Sequence, residues 1–167
     1  GRPYNVVVDF GNGVAGPVYG EALRQAGFQT IELFAEPDGT FPNHIADPSN
    51  HETLKPLRET VQRENTACGL AFDGDGDRVG FVDETGNVIS PDSLLLLLAE
   101  DHLRGNPGAP IIYTVSMSSI LETEVKRMGG QPVMCPVGHS YVAHAMQQHR
   151  SHLGGAQSGH FFCGEGF

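Results

Sequence analysis

Cys68-Gly69-Leu70-Ala71-Phe72-Asp73-Gly74-Asp75-Gly76-Asp77-Arg78-Val79-Gly80-Phe81-Val82 reads as an apolar strand, a turn carrying three carboxylates at alternate positions, and a second strand. Upstream, Leu54, Leu57 and Val61 form the inner stripe of a helix that opens near Glu52 and ends before Cys68. Before it, residues 29–34 read as a strand, residues 16–27 as a helix, and residues 4–9 as a β-branched strand stopped by Gly11-Asn12-Gly13. A long polar loop with Pro37, Gly39, Pro42, Asn43 and Pro48 follows residue 34, and loops of that length in compact domains usually have a job. Downstream, the short apolar pair Val88-Ile89 precedes Pro91, so the first ninety residues read β-α-β-α-β-β.

The pattern then begins again. Pro91 precedes a helix over residues 92–103, with Asp92 or Ser90 as its cap and Gly105-Asn106-Pro107-Gly108 as its stop. Strand 111–115, helix 118–128, strand 132–135, helix 141–148 and a last strand near residues 160–163 follow, and Gly154-Gly155-Ala156-Gln157-Ser158-Gly159-His160 reads as a loop. The expected class is α/β: two tandem layered α/β/α units with mixed, mainly parallel sheets, residues 1–91 and 92–167. The second is expected to be truncated, because no helix covers its final strand.

With 10 basic against 20 acidic residues the formal charge is −10, which argues against nucleic acid or an anionic membrane as partner. The longest apolar run, Leu94 to Ala99, falls far short of the roughly 20 residues that span a bilayer, and residues 1–4 lack a signal-peptide layout. A cytoplasmic location is the resulting expectation. Cys68, Cys135 and Cys163 are far apart, form no CxxC pair, and read as small buried apolar residues.

Asp73, Asp75 and Asp77 carry the strongest chemical signal. Alternate residues of an extended chain face one side, and the intervening glycines let the three oxygens converge. Such a cluster wants a hard divalent cation, and oxygen ligands favour magnesium, calcium or manganese over zinc. Arg78 adds a planar fork suited to phosphate. A solvated acidic turn is the bland alternative. An EF-hand loop fails at Arg78, where its sharp turn needs glycine. An aspartyl-phosphate hydrolase, with Asp73 as nucleophile and Asp75 as general acid, is a rival class. Ser158 and His160 could meet sugar hydroxyls, and Gly138-His139-Ser140 could present amides and an imidazole to phosphate, although it also suits a capped helix start. Gly11-Asn12-Gly13-Val14-Ala15-Gly16 is a weak dinucleotide match and reads better as a tight strand-to-helix turn with Asn12 strained or capping. His144, His149 and His152 read as solvated.

Together Val8 to Gly16, Phe41-Pro42-Asn43-His44 with Asp47-Pro48, Asp73 to Arg78, Gly138-His139-Ser140 and Ser158-Gly159-His160 resemble the α-D-phosphohexomutase family of phosphomannomutase/phosphoglucomutase type. The resemblance implies the second and most of the third of four domains. It implies that Asp73, Asp75 and Asp77 hold Mg²⁺ against a phosphoserine of the first domain, that Arg78 steadies the same phosphate, and that His139, Ser158 and His160 contact a phosphorylated hexose. A sugar 1,6-bisphosphate is the implied intermediate and activator. The implied partners are the missing first and fourth domains, and the isolated chain, lacking the phosphate donor, is expected to be inactive and to bind Mg²⁺ weakly. Three positions depart from the family pattern: Ser116 and Ala143 stand where lysine is common, and Ala156 where glutamate is usual. Gln157 or His144 would have to compensate in a divergent mutase. The other reading is a non-catalytic relative that binds Mg²⁺ or a phosphosugar as regulator or scaffold.

Overall fold

The structure, a computed structural model, describes residues 4–164. The chain divides into two compact units between Ile89 and Ser90. Among the described residues no helix is long and apolar enough to cross a membrane.

The first unit runs β1 (Asn5–Asp9), α1 (Gly16–Gln25), β2 (Gln29–Leu33), α2 (Lys55–Glu64), β3 (Cys68–Phe72), β4 (Val79–Asp83) and β5 (Val88–Ile89). Its sheet has the order β2-β1-β3-β4-β5, parallel across β2-β1-β3 and antiparallel from β3 to β5. Alternation along β1 divides its core. Val6 and Val8 pack with Phe10, Ala15 and Leu23 on the α1 side, whereas Val7 packs with Leu54, Leu57 and Val61 on the α2 side. β1 is buried on both faces, which is why its residues read as a continuous Val run rather than an alternating one. Both helices end early: α1 gives way at Gly27, whose φ is +93°, and α2 at Asn65, left-handed at φ 51°.

The second unit runs α3 (Pro91–Gly105), β6 (Pro110–Thr114), α4 (Ile120–Arg127), β7 (Gln131–Cys135), α5 (His139–His149), β8 (Leu153–Gly155) and β9 (Phe161–Cys163). Its sheet order is β7-β6-β8-β9, with only β8-β9 antiparallel. α3 and α4 cover one face through Leu95, Ala99, Leu121 and Val125, and α5 covers the other through Val142 and Ala145. Ser90 caps α3, its hydroxyl accepting from the Ser93 N–H at 3.2 Å, while Asp92 instead accepts from the Ser118 N–H.

The mixed α/β architecture stands as expected, with three local corrections. Leu153-Gly154-Gly155 is a strand, not a loop. A Cβ on Gly155 would lie 2.9 Å from Leu95 of α3, and one on Gly154 3.2 Å from Val142 of α5, so both faces demand glycine where a strand otherwise shows β-branched residues. Cys163 is exposed at the end of β9, although Cys135 is buried. Asn12 does not cap α1, whose N-cap is Ala15; of its two expected roles the strained one holds, since it is left-handed at φ 59°, and its amide clamps the loop that follows β2.

Candidate functional site

β3 delivers the aspartate turn at its carboxyl end. Asp73 is buried, and its Oδ1 accepts N–H bonds from Gly76 at 3.0 Å and Arg78 at 3.1 Å, while its Oδ2 accepts from Arg78 Nε at 2.6 Å. The carbonyl of Asp73 also accepts from the Gly76 N–H, so the segment is a tight turn, the curl that its glycines were expected to allow. Convergence therefore comes from the bend. Gly76 alone of the two glycines needs its freedom, at φ +80° with Ala15 Cβ 3.0 Å from where its own would be. Gly74 has no such φ and meets only the Phe41 ring at 3.5 Å.

Neighbouring segments hold the turn from outside. The Val14 N–H donates to the Gly74 carbonyl at 3.0 Å and the Tyr19 hydroxyl to the Gly76 carbonyl at 3.1 Å. Gly13 packs so closely that a Cβ there would lie 2.8 Å from the Gly74 carbonyl oxygen. Within the glycine run after β1, Gly13 thus serves backbone approach to the aspartates, while Gly11 and Gly16 pack against Ala46 and Ala35.

Each of Asp73, Asp75 and Asp77 offers one carboxylate oxygen, and these lie within 4.8 Å of one another. Asp75 and Asp77 are exposed. The charges on Asp73 and Asp77 push the Asp75 carboxyl up, because like charges resist a third. Burial works against the Asp73 charge, yet the Arg78 N–H and guanidinium outweigh it and hold its carboxyl below the ordinary range. Crowded oxygens with residual repulsion at Asp75 suit a hard divalent cation such as Mg²⁺. Arg78 is not an open fork: its Nη1 lies 3.3 Å from Asp47 Oδ1 while Nε is on Asp73.

In the second unit, His139, Ser158 and His160 line one cavity of about 150 Å³ with Val137, Gly138, Val142, Ala156 and Phe162. Ser158 Oγ and His160 Nδ1 are 2.7 Å apart, and the His139 ring meets the Phe162 ring edge-on at 4.7 Å. Two separated sequence signals are brought together here, because α5 starts at His139 beside the β8–β9 turn. The lining has no acidic or basic side chain other than imidazole. Ala156 is part of it; Ala143, His144 and Gln157 are exposed and outside it. Ser116 follows β6, its hydroxyl 3.1 Å from that of Thr114. The sequence assigns no role to Asp47 beyond its place in the family-like Asp47-Pro48 pair, and none to Tyr19, which stands at an unremarkable helix position.

Residues 1–86 match the phosphoglucomutase/phosphomannomutase α/β/α domain II, and residues 90–166 match domain III. The chain belongs to the phosphoglucomutase/phosphomannomutase family. It is 47% identical over 164 residues to a phosphomannomutase/phosphoglucomutase of Pseudomonas aeruginosa, covering 98% of this chain and 35% of that protein. It is 43% identical to a phosphoglucomutase of Neisseria gonorrhoeae, covering 98% of this chain and 36% of the other. Among solved structures, a family protein of Burkholderia thailandensis superposes with a TM-score of 0.93 at 43% identity, over 97% of this chain and 35% of the other. The N-acetylphosphoglucosamine mutase of Aspergillus fumigatus, solved with GlcNAc-6P and magnesium, shares the fold at a TM-score of 0.68 and 18% identity, over 98% of this chain and 37% of that one. The chain spans about a third of the length of the curated relatives it matches.

Proposed function

We propose that this chain is the metal-binding and sugar-recognising part of a Mg²⁺-dependent phosphohexomutase, which interconverts sugar 1-phosphate and sugar 6-phosphate through a phosphoserine and a bisphosphorylated sugar. Residues 1–91 supply Asp73, Asp75 and Asp77 for the cation, and Arg78 beside them for phosphate. Residues 92–167 supply His139, Ser158 and His160 for the hexose. When bound, a divalent cation would neutralise charge on a transferring phosphoryl group. The chain's own part is to fix Asp73 by three hydrogen bonds, to present Asp75 and Asp77 to solvent, and to offer imidazole and hydroxyl groups to sugar oxygens. The observation that carries this reading is the convergence of three carboxylate oxygens within 4.8 Å at the carboxyl end of the central strand of the first sheet.

A second reading, a non-catalytic relative that binds Mg²⁺ or a phosphosugar, is favoured by one observation: the sugar cavity has Ala156 and no carboxylate. A mutase assay on the full-length parent with Mg²⁺, offering mannose 1-phosphate, glucose 1-phosphate and glucosamine 1-phosphate, separates the two. Turnover abolished by Asp75→Asn supports the mutase, with the isolated 167-residue chain inactive in the same assay. A folded, serine-phosphorylated parent that turns over none of these sugars supports the relative. An aspartyl-phosphate hydrolase is the distant third class, and modification of Asp73 by beryllium fluoride would reveal it.

A further inference from the structure

The loop between β2 and α2 is fastened to the first unit at three points, each through a side chain far away in sequence. Asn43 Nδ2 donates to Asn12 Oδ1 at 2.7 Å, His44 Nε2 lies 3.1 Å from Asp9 Oδ2, and Arg78 Nη1 lies 3.3 Å from Asp47 Oδ1. The loop also holds Phe34 and Phe41 in left-handed backbone, at φ 50° and 48°. Such conformations persist in bulky residues only where surrounding contacts fix them. Asp47 is the one of these anchors that reaches the aspartate turn. It is itself set by a local turn, its Oδ1 accepting from the Ser49 hydroxyl at 2.7 Å and its carbonyl from the Thr53 hydroxyl at 2.7 Å.

The guanidinium of Arg78 therefore bridges two carboxylates: Nε to buried Asp73 and Nη1 to half-exposed Asp47. We propose that Asp47 is a positioning residue for the aspartate cluster, holding the Arg78 fork so that part of its charge is drawn from Asp73 and the Asp73 carboxylate stays oriented toward a divalent cation. Without Asp47, the Arg78 guanidinium keeps its bond to Asp73 and the nearby charge of Asp77, and its own charge opposes a cation there. Arg78, bonded to Asp73, is one step removed from the metal and Asp47 two, and partners at one step are commonly worth an order of magnitude or more in affinity. This inference rests on the assignment of Asp73, Asp75 and Asp77 as cation ligands.

The test is Mn²⁺ binding to the 167-residue chain, followed by electron paramagnetic resonance of free Mn²⁺, in a double-mutant cycle of Asp47→Asn and Arg78→Met. Thermal melts accompany each variant. Asp47→Asn is expected to raise the Mn²⁺ dissociation constant about tenfold. The effect of Asp47→Asn should vanish in the Arg78→Met background. If Arg78→Met fails to fold, Arg78→Lys takes its place, because one ammonium cannot serve both carboxylates in the same fork. An Asp47→Asn effect that persists in full without Arg78 would mean direct attraction of the cation by Asp47 and would overturn the positioning role. An unchanged dissociation constant in Asp47→Asn would overturn it as well. Absence of Mn²⁺ binding by the unaltered chain would instead bring down the cation-site assignment, and the positioning role with it.

Discussion

His44 is held by two acceptors, and that fixes where protons must be. Its Nδ1 lies 2.9 Å from the Ile45 carbonyl and so carries hydrogen, while Nε2 faces Asp9 Oδ2 at 3.1 Å. One further proton is therefore needed between the imidazole and the carboxyl group. Asp9 is buried, with the Gly11 N–H donating to its Oδ1 at 2.8 Å. Burial pushes its carboxyl above the ordinary value, although the charge of His44 and the hydrogen bonds pull the other way. A raised carboxyl contributes stability that is full below its unfolded value and is lost as pH rises through its folded value. Asn in place of Asp9 mimics the protonated carboxyl, keeping an oxygen for Gly11 and offering an N–H to His44 Nε2. Thermal melts of Asp9→Asn against the unaltered chain from pH 4 to pH 8 should show the variant gaining relative stability as pH rises. Parallel curves would show that no shared proton is held there.

At the scale of elements, the close seat of the β1–α1 turn on the aspartate turn decides which glycines matter. A Cβ at Gly13 would strike backbone, the oxygens of Gly74 and Asp73 at 2.8 and 2.9 Å, whereas one at Gly74 meets only an aromatic ring edge at 3.5 Å. Gly13→Ala should cost about 1–3 kcal/mol in chemical denaturation, as overpacking against immovable atoms does. Gly74→Ala should cost clearly less; equal costs would contradict the packing account. The strands β1, β3 and β6 were legible because burial on both faces leaves β-branched or apolar runs. β8 was not, because the same two-sided packing removed its side chains at Gly154 and Gly155. The three aspartates were legible by residue type and spacing. The curl that brings their oxygens together was legible in the glycines, but its closure by Arg78 was not, and the partners of Asp47 and His44 were not because they lie 31 and 35 residues away.

The molecule as a whole is two cores on one chain. Val7, Leu57 and Val61 belong to the first and Leu95, Ile111 and Leu121 to the second, each packed around its own sheet. A domain with its own core can fold alone, although pieces of this size are marginal. A chain cut between Ile89 and Ser90 should therefore give two pieces, each with its own cooperative thermal transition and native-like circular dichroism. Leu57→Ala, costing about 2–5 kcal/mol, should lower the transition of the first piece. Two unstructured pieces would show that neither core suffices. One detail gives the first piece a built-in optical probe. The chain has no tryptophan, four tyrosines and nine weakly emitting phenylalanines, so phenol rings dominate its near-ultraviolet emission. Tyr19 has its hydroxyl on the Gly76 carbonyl of the aspartate turn. Any rearrangement of that turn alters the hydrogen bond on which this ring's excited-state lifetime depends, so the molecule reports on its own carboxylate cluster without a label.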